Sequence, residues 1–183
     1  MSAGFSGTIL PVSAPILIRR AWLPDAAAVA QVSAATFTET FGHLYPPEDL
    51  AEYLGRVCTA DAYSKIIEEP TSAIWIAAAE GVSPVGFVFA ANCKLPVDNL
   101  EPMSGEIRQL YVLATHQSQR LGAKLMDVAL AWLAEQEREP LYIGVWSENL
   151  GAQRFYQRYG FRKVGEYGFP VGSTIDHEFI LKR

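Results

Sequence analysis

The sequence predicts a single α/β domain, α+β in arrangement, with a mixed and mostly antiparallel sheet flanked by helices. Three observations carry that expectation. Two short apolar runs, residues 73–79 (AIWIAAA) and 85–91 (VGFVFAA), are joined by EGVSP; their length, β-branched content and flanking Gly and Pro read as an antiparallel hairpin. The stretch 106–133 opens as an apolar strand (Ile107, Leu110, Tyr111, Val112, Leu113) and continues, past a polar turn, with Leu121, Leu125, Val128 and Trp132 at helical spacing. Residues 141–146 (LYIGVW) form another strand, followed by a helix and two closing strands. No internal repeat, low-complexity tract or linker divides the chain.

Taken in order, residues 1–15 read as a loose tail and 16–183 as the domain. The tail has no basic leader region and is not a convincing signal peptide. A short strand at 16–20 precedes Pro24 and Asp25, a helix start. The alanines of AAAVAQVSAATF then favour helix. TFTETFGHLYPPEDL (36–50) is expected to be an aromatic-rich connection broken by Gly42, Pro46 and Pro47. Within it Phe37, Glu39, Phe41 and Tyr45 are candidates for one wall of a substrate pocket, core packing of Phe37 and Phe41 being the alternative. Helices follow at 48–57 and 61–68, the second stopped by Pro70. Residues 94–104 are a loop, and 137–140 a polar link. A helix over 149–159 ends at Gly160, a left-handed cap. The last strands, 161–167 and 175–181, are expected to join through GFPVGST.

At 183 residues, 50% hydrophobic, the chain can bury a sizeable core. No apolar run is long enough to span a membrane. Cys58 and Cys93 lack paired spacing, and His43, His116 and His177 are scattered, so neither a disulfide framework nor a metal site is expected; a reducing cytoplasm fits. The net charge of −5 speaks against nonspecific nucleic-acid binding. Residues 36–69 hold seven acids and two bases, which accounts for that whole imbalance. The window is either a pair of solvated helices or a face that attracts a cationic substrate.

The turn at 114–122 contains Thr115, His116, Gln117, Ser118, Gln119, Arg120 and Gly122, with no carboxylate. A strand, a polar turn and a helix start leave backbone N–H groups unpaired at the positive end of a helix dipole, suited to an anion such as phosphate. Arg120 and Lys124 add charge there. An ordinary solvated connection is the alternative. The segment resembles the acetyl-CoA-binding motif of the GNAT superfamily of N-acetyltransferases, a strand ending L-x-V followed by Q/R-x-x-G-x-G/A and a helix; Arg120 stands where the first glycine is usual and must adopt a geometry glycine accepts more cheaply. LYIGVWSENLGAQRFYQRYGF resembles the second GNAT motif at Val145, Asn149, Ala152, Phe155, Tyr156, Gly160 and Phe161. Residues 36–50 and 167–183 are similar to PaiA-type GNAT proteins, a subgroup that acetylates polyamines. The similarity extends from Ile16 onward.

That resemblance implies a single GNAT domain, acetyl-CoA as cosubstrate without a metal, and direct acetyl transfer to a primary amine such as spermidine or spermine. It implies cofactor contacts from Leu110, Tyr111 and Val112, from Gln117, Ser118, Gln119, Arg120, Leu121, Gly122 and Ala123, and from Asn149 and Tyr156. Tyr156 is implied as the acid that protonates the departing thiolate. Glu106 is the first candidate for the base that frees the amine, a solvent-facing strand residue being the alternative. A homodimer is a family-level expectation. Another amine acceptor (a protein N-terminus, a lysine, an amino acid or an amine drug) and a non-catalytic acetyl-CoA-binding regulator are the rival readings. Dinucleotide, P-loop and nucleophilic-hydrolase signatures are absent.

Overall fold

A computed structural model describes residues 14–183, so the expected tail lies outside it except for its last two residues. The elements run β1 (Leu17–Arg20), α1 (Ala26–Phe41), α2 (Pro47–Val57), α3 (Ala60–Glu68), β2 (Ser72–Ala78), β3 (Gly86–Asn92), β4 (Gly105–Val112), α4 (Leu121–Glu135), β5 (Leu141–Trp146), α5 (Leu150–Arg158), β6 (Arg162–Val171) and β7 (Thr174–Lys182). One seven-stranded sheet has the order β1-β2-β3-β4-β5-β7-β6. All its pairings are antiparallel except β4 with β5.

Helices α4 and α5 cover one face. Leu125, Met126, Ala129 and Leu133 of α4 are fully buried against Ala77, Val88, Ala90, Ile107 and Ile143, each large aliphatic side chain contributing about 1.5–3 kcal/mol of burial. Helices α1 and α3 cover the other face, Val29, Val32 and Tyr63 clustering with Ile74 and Ile76 of β2 and Phe87 of β3. A smaller cluster joins Phe37, Tyr45 and Val171 to Leu50, Tyr53 and Leu54 of α2.

Two segments differ from the sequence expectation. TFTETF is not a connection but the last turns of α1, which stops only at Gly42. The spacing of Val29, Ser33, Thr36 and Phe37, all buried, continues the helical period, and the Thr36 hydroxyl donates to the Val32 carbonyl at 2.7 Å. Likewise GFPV belongs to β6 rather than to a link. Pro170 is tolerated because β6 is an edge strand, where a missing N–H costs no ladder bond. The true turn is Gly172–Ser173, with Gly172 at φ +55°. There Asp49 of α2 accepts from the Ser173 N–H at 2.8 Å and from its hydroxyl at 2.7 Å. A Cβ on Gly172 would meet Asp49 Cγ at 2.1 Å, so the latch requires glycine.

Candidate active site

Strands β4 and β5 touch through only two pairs, Gly105 with Leu141 and Glu106 with Tyr142, and separate beyond them. The sheet therefore opens along its middle. A cavity of about 950 Å³ fills the split and reaches both faces. A bulge at Arg108, where Phe89 pairs Gln109 and Ala90 pairs Ile107, bends β4 at the head of the opening. Past it, Leu113 donates its N–H to Val85 of the neighbouring chain segment at 2.9 Å. By strand alternation the N–H groups of Leu110 and Val112 face the other way, into the split.

On the α4/α5 face the opening meets the start of α4. Arg120 is the N-cap residue, at φ +58° and ψ 17°, with no side-chain cap; Ser118 is also left-handed at φ +69°. The sequence thus places arginine in the conformation that glycine adopts more cheaply. None of the N–H groups from Ser118 to Ala123 has an acceptor among the described residues; the first helical bond runs from Lys124 to Arg120 at 3.1 Å. Arg120 and Arg158 both line this end. Gln117 donates to the Val112 carbonyl at 3.2 Å. Asn149 caps α5, accepting from the Ala152 N–H at 3.0 Å, which leaves its amide N–H₂ for a ligand. Tyr156, 8% exposed, sits among the core residues of this face. Burial and the charge of Glu178 push its phenol well above the ordinary value, so it keeps its proton.

Every residue that the sequence nominates lines the cavity except Gln119, Lys124 and Glu39. Glu39, expected on the pocket wall, instead accepts the Ala114 N–H at 3.0 Å. No acid of the 36–69 window lines the cavity; its members face outward or, like Asp49, serve as latches. The carboxylates that do line it are Glu106, Asp176 and Glu178. Two of these, with Tyr53, Trp146, Tyr167 and Phe169, were not foreseen. The available signal was DHEF: Asp176 and Glu178 alternate along β7 and so share one face.

The α1-side half of the cavity is aromatic and acidic. Phe37 stacks on Tyr53 at 4.8 Å between ring centres, and Phe41 meets Trp146 edge-on at 5.8 Å. The Tyr45 hydroxyl donates to Asp176, and that of Tyr167 donates to Glu178 at 2.9 Å. Gly144 makes room for this last pair: a Cβ there would lie 2.7 Å from the Tyr167 oxygen and 3.1 Å from Glu178 Oε2. Glu106 accepts the Lys94 N–H at 2.8 Å and lies 3.5 Å from Arg108 Nε. Burial raises the carboxyl pKa of both Glu106 and Glu178; the Lys94 N–H and Arg108 oppose the rise at Glu106, the Tyr167 hydroxyl at Glu178. Among the described residues no three His, Cys, Asp or Glu side chains gather as a metal site, and no helix is long and apolar enough to cross a membrane.

The acetyltransferase (GNAT) family model matches residues 29–161. An uncharacterised N-acetyltransferase of Lactobacillus delbrueckii subsp. lactis is 30% identical over 157 residues, 83% of this chain and 87% of that protein. One of Mycobacterium bovis is 26% identical over 161 residues, 88% of this chain and 98% of that protein. Among solved structures, the PaiA N-acetyltransferase of Thermoplasma acidophilum, in complex with coenzyme A, superposes with a TM-score of 0.73 at 17% identity, covering 92% of this chain and 98% of that one. A GCN5-related N-acetyltransferase of Rhodopseudomonas palustris gives 0.70 at 16% identity, covering 92% and 95%. With a split sheet, an uncapped α4 and a family match over most of its length, the chain belongs to the GNAT family of N-acetyltransferases.

Proposed function

We propose that this protein transfers the acetyl group of acetyl-CoA directly to a primary amine, and that the acceptor is a small polycation such as spermidine or spermine. The observation that carries the reading is the split itself, which joins an anion-receptive helix start on one face to an acidic, aromatic chamber on the other. The free N–H groups from Ser118 to Ala123, with Arg120 and Arg158 alongside, suit a diphosphate. The inward main-chain groups of β4 suit an amide-bearing arm, and the Val112 N–H suits the thioester oxygen as it gains charge. Acetyl-CoA supplies the activated acetyl carbon. Tyr156, held protonated, gives its proton to the departing thiolate. An aliphatic amine is almost wholly protonated at neutral pH, so a carboxylate must remove a proton first; Glu106 and Glu178 are the two glutamates in reach of the chamber.

The polycation reading is supported by three carboxylates in the chamber against one guanidinium, Arg108, and by aromatic faces that attract ammonium groups. The likeness of residues 36–50 and 167–183 to PaiA-type proteins points the same way. Thiol release from acetyl-CoA, followed with spermidine, spermine, a lysine peptide and an aminoglycoside, tests it. Release with the polyamines is expected. Release only with the peptide or drug replaces the acceptor, and tight coenzyme binding without any release replaces catalysis with sensing.

A further inference from the structure

The three cavity carboxylates are not equivalent. Glu106 belongs to the last pair before β4 and β5 part, at the closed end of the split. It is 7% exposed and one of its oxygens is taken by the Lys94 N–H and by Arg108. Those partners favour its ionised form and offset part of the rise that burial causes. Asp176 is engaged by the Tyr45 hydroxyl at the outer wall. Glu178 pairs across the sheet with Trp146, the last residue of β5, three residues before Asn149. That places it at the open end, beside the elements that flank the coenzyme groove. Its carboxylate forms no ion pair among the described residues, and its one side-chain partner is the Tyr167 hydroxyl on Oε2, which leaves Oε1 free.

Side-chain direction reinforces the distinction. Val145 and Phe179, facing α4 and α5, pack with Tyr156, whereas Trp146 and Glu178, one residue along each strand, face the acceptor chamber. Tyr156 and Glu178 thus address the split from opposite faces of the sheet. Burial, and after it the charge of Glu178, raise the Tyr156 pKa.

Resting on the acetyl-transfer reading, we propose that Glu178 is the general base, that Tyr167 is the positioning residue that holds it, and that Glu106 is a structural member of the β4–β5 junction. The Glu178 carboxylate takes one proton from the substrate ammonium. The freed nitrogen lone pair forms the C–N bond at the thioester carbon, and the C–S bond breaks with its electron pair on sulfur. Tyr156 protonates that sulfur and is itself restored by the second proton lost from nitrogen as the amide forms. Glu178 then returns its proton to solvent, so one amide, one thiol and one proton leave for each ammonium and thioester consumed.

The test is the pH dependence of kcat/KM for amine acetylation in the wild type, Glu178→Gln, Glu106→Gln and Tyr167→Phe, with acetyl-CoA affinity measured by calorimetry as a check of folding. Loss of a general base predicts a fall of about 10²–10⁴-fold at pH 7 for Glu178→Gln. It also predicts loss of the acidic limb, replaced by a rate that climbs with the free-amine fraction, while coenzyme affinity holds. Glu106→Gln keeps the acidic limb at the wild-type pH, whatever its amplitude. Tyr167→Phe, which removes a bond to the ionised form, moves the limb to higher pH and decides the matter if Glu178→Gln does not fold. An unchanged limb in Glu178→Gln or in Tyr167→Phe, or its loss in Glu106→Gln, overturns the assignment. A wild type that releases no thiol with any amine removes the acetyl-transfer reading itself, and the role of Glu178 with it.

Discussion

Replacing Gly144 by alanine should damage the site from a strand that carries none of its chemistry. The new Cβ would stand 2.7 Å from the Tyr167 oxygen, 3.1 Å from Glu178 Oε2 and 3.4 Å from Leu95 Cδ2. The first contact is too close to persist, and the tyrosine ring, rigid below Cβ, must swing away from its 2.9 Å bond to Glu178. A hydrogen bond to a charged group is worth about 1.5–3 kcal/mol, and overpacking of this kind costs about 1–3 kcal/mol. Because yielding of the ring relieves the second as it incurs the first, the expected loss is about 1–3 kcal/mol rather than their sum. For a chain of this size that corresponds to a fall in Tm of roughly 2–12 °C. Thermal unfolding of Gly144→Ala, Tyr167→Phe and the double variant measures it as a cycle. Without the hydroxyl the alanine meets less, so the double variant should be less destabilised than the two single losses combined. Strict additivity, or an alanine that costs nothing, would refute the geometry assigned to this corner.

Tyr156→Phe should lower kcat about 10²–10⁴-fold with acetyl-CoA affinity unchanged; equal turnover at saturating substrates would remove the acid role. Arg120→Gly should raise stability, since a left-handed non-glycine residue costs about 1–2 kcal/mol, offset by about 0.5–1 kcal/mol of glycine's chain entropy. The same change should weaken coenzyme binding roughly two- to five-fold at low salt, an effect that shrinks as salt rises; calorimetry at two ionic strengths reads both. Glu178→Gln should stabilise the fold increasingly with pH. The raised carboxyl pKa means the folded state holds its proton more tightly than the unfolded one, so wild-type stability is fully present below the ordinary value near 4.5 and is lost as pH rises through the folded value. The Tm gap between variant and wild type should therefore be small at pH 3 and open toward pH 7; a gap that narrows would contradict the burial of that carboxylate.

The half of the cavity beside α4 and α5 was legible because it is local. The strand, turn and helix from Gly105 to Glu135 are contiguous, and so are β5 and α5, so spacing and motif named Val112, Arg120, Asn149 and Tyr156 directly. The half beside α1 was not, because distant segments make it. Phe37, Tyr45 and Tyr53 meet Phe169 and Val171 only in the folded chain. Of the two readings of the acidic window, solvated helices fit: Glu48 and Glu52 lie exposed on α2 and Asp49 holds the Ser173 turn, while Glu178 sits in a strand whose alternation reads as ordinary pleating. Helix α1 outran its expected end because a helix stops at a breaker, here Gly42, and not where composition turns aromatic.

The latch between Asp49 and Ser173 joins residues 124 positions apart, so α2 is tied to a hairpin tip that the chain does not reach until its last dozen residues. Loss of either partner would unfasten that helix from the sheet's outer edge while the contiguous strand, turn and helix from Gly105 to Glu135 kept every bond of their own.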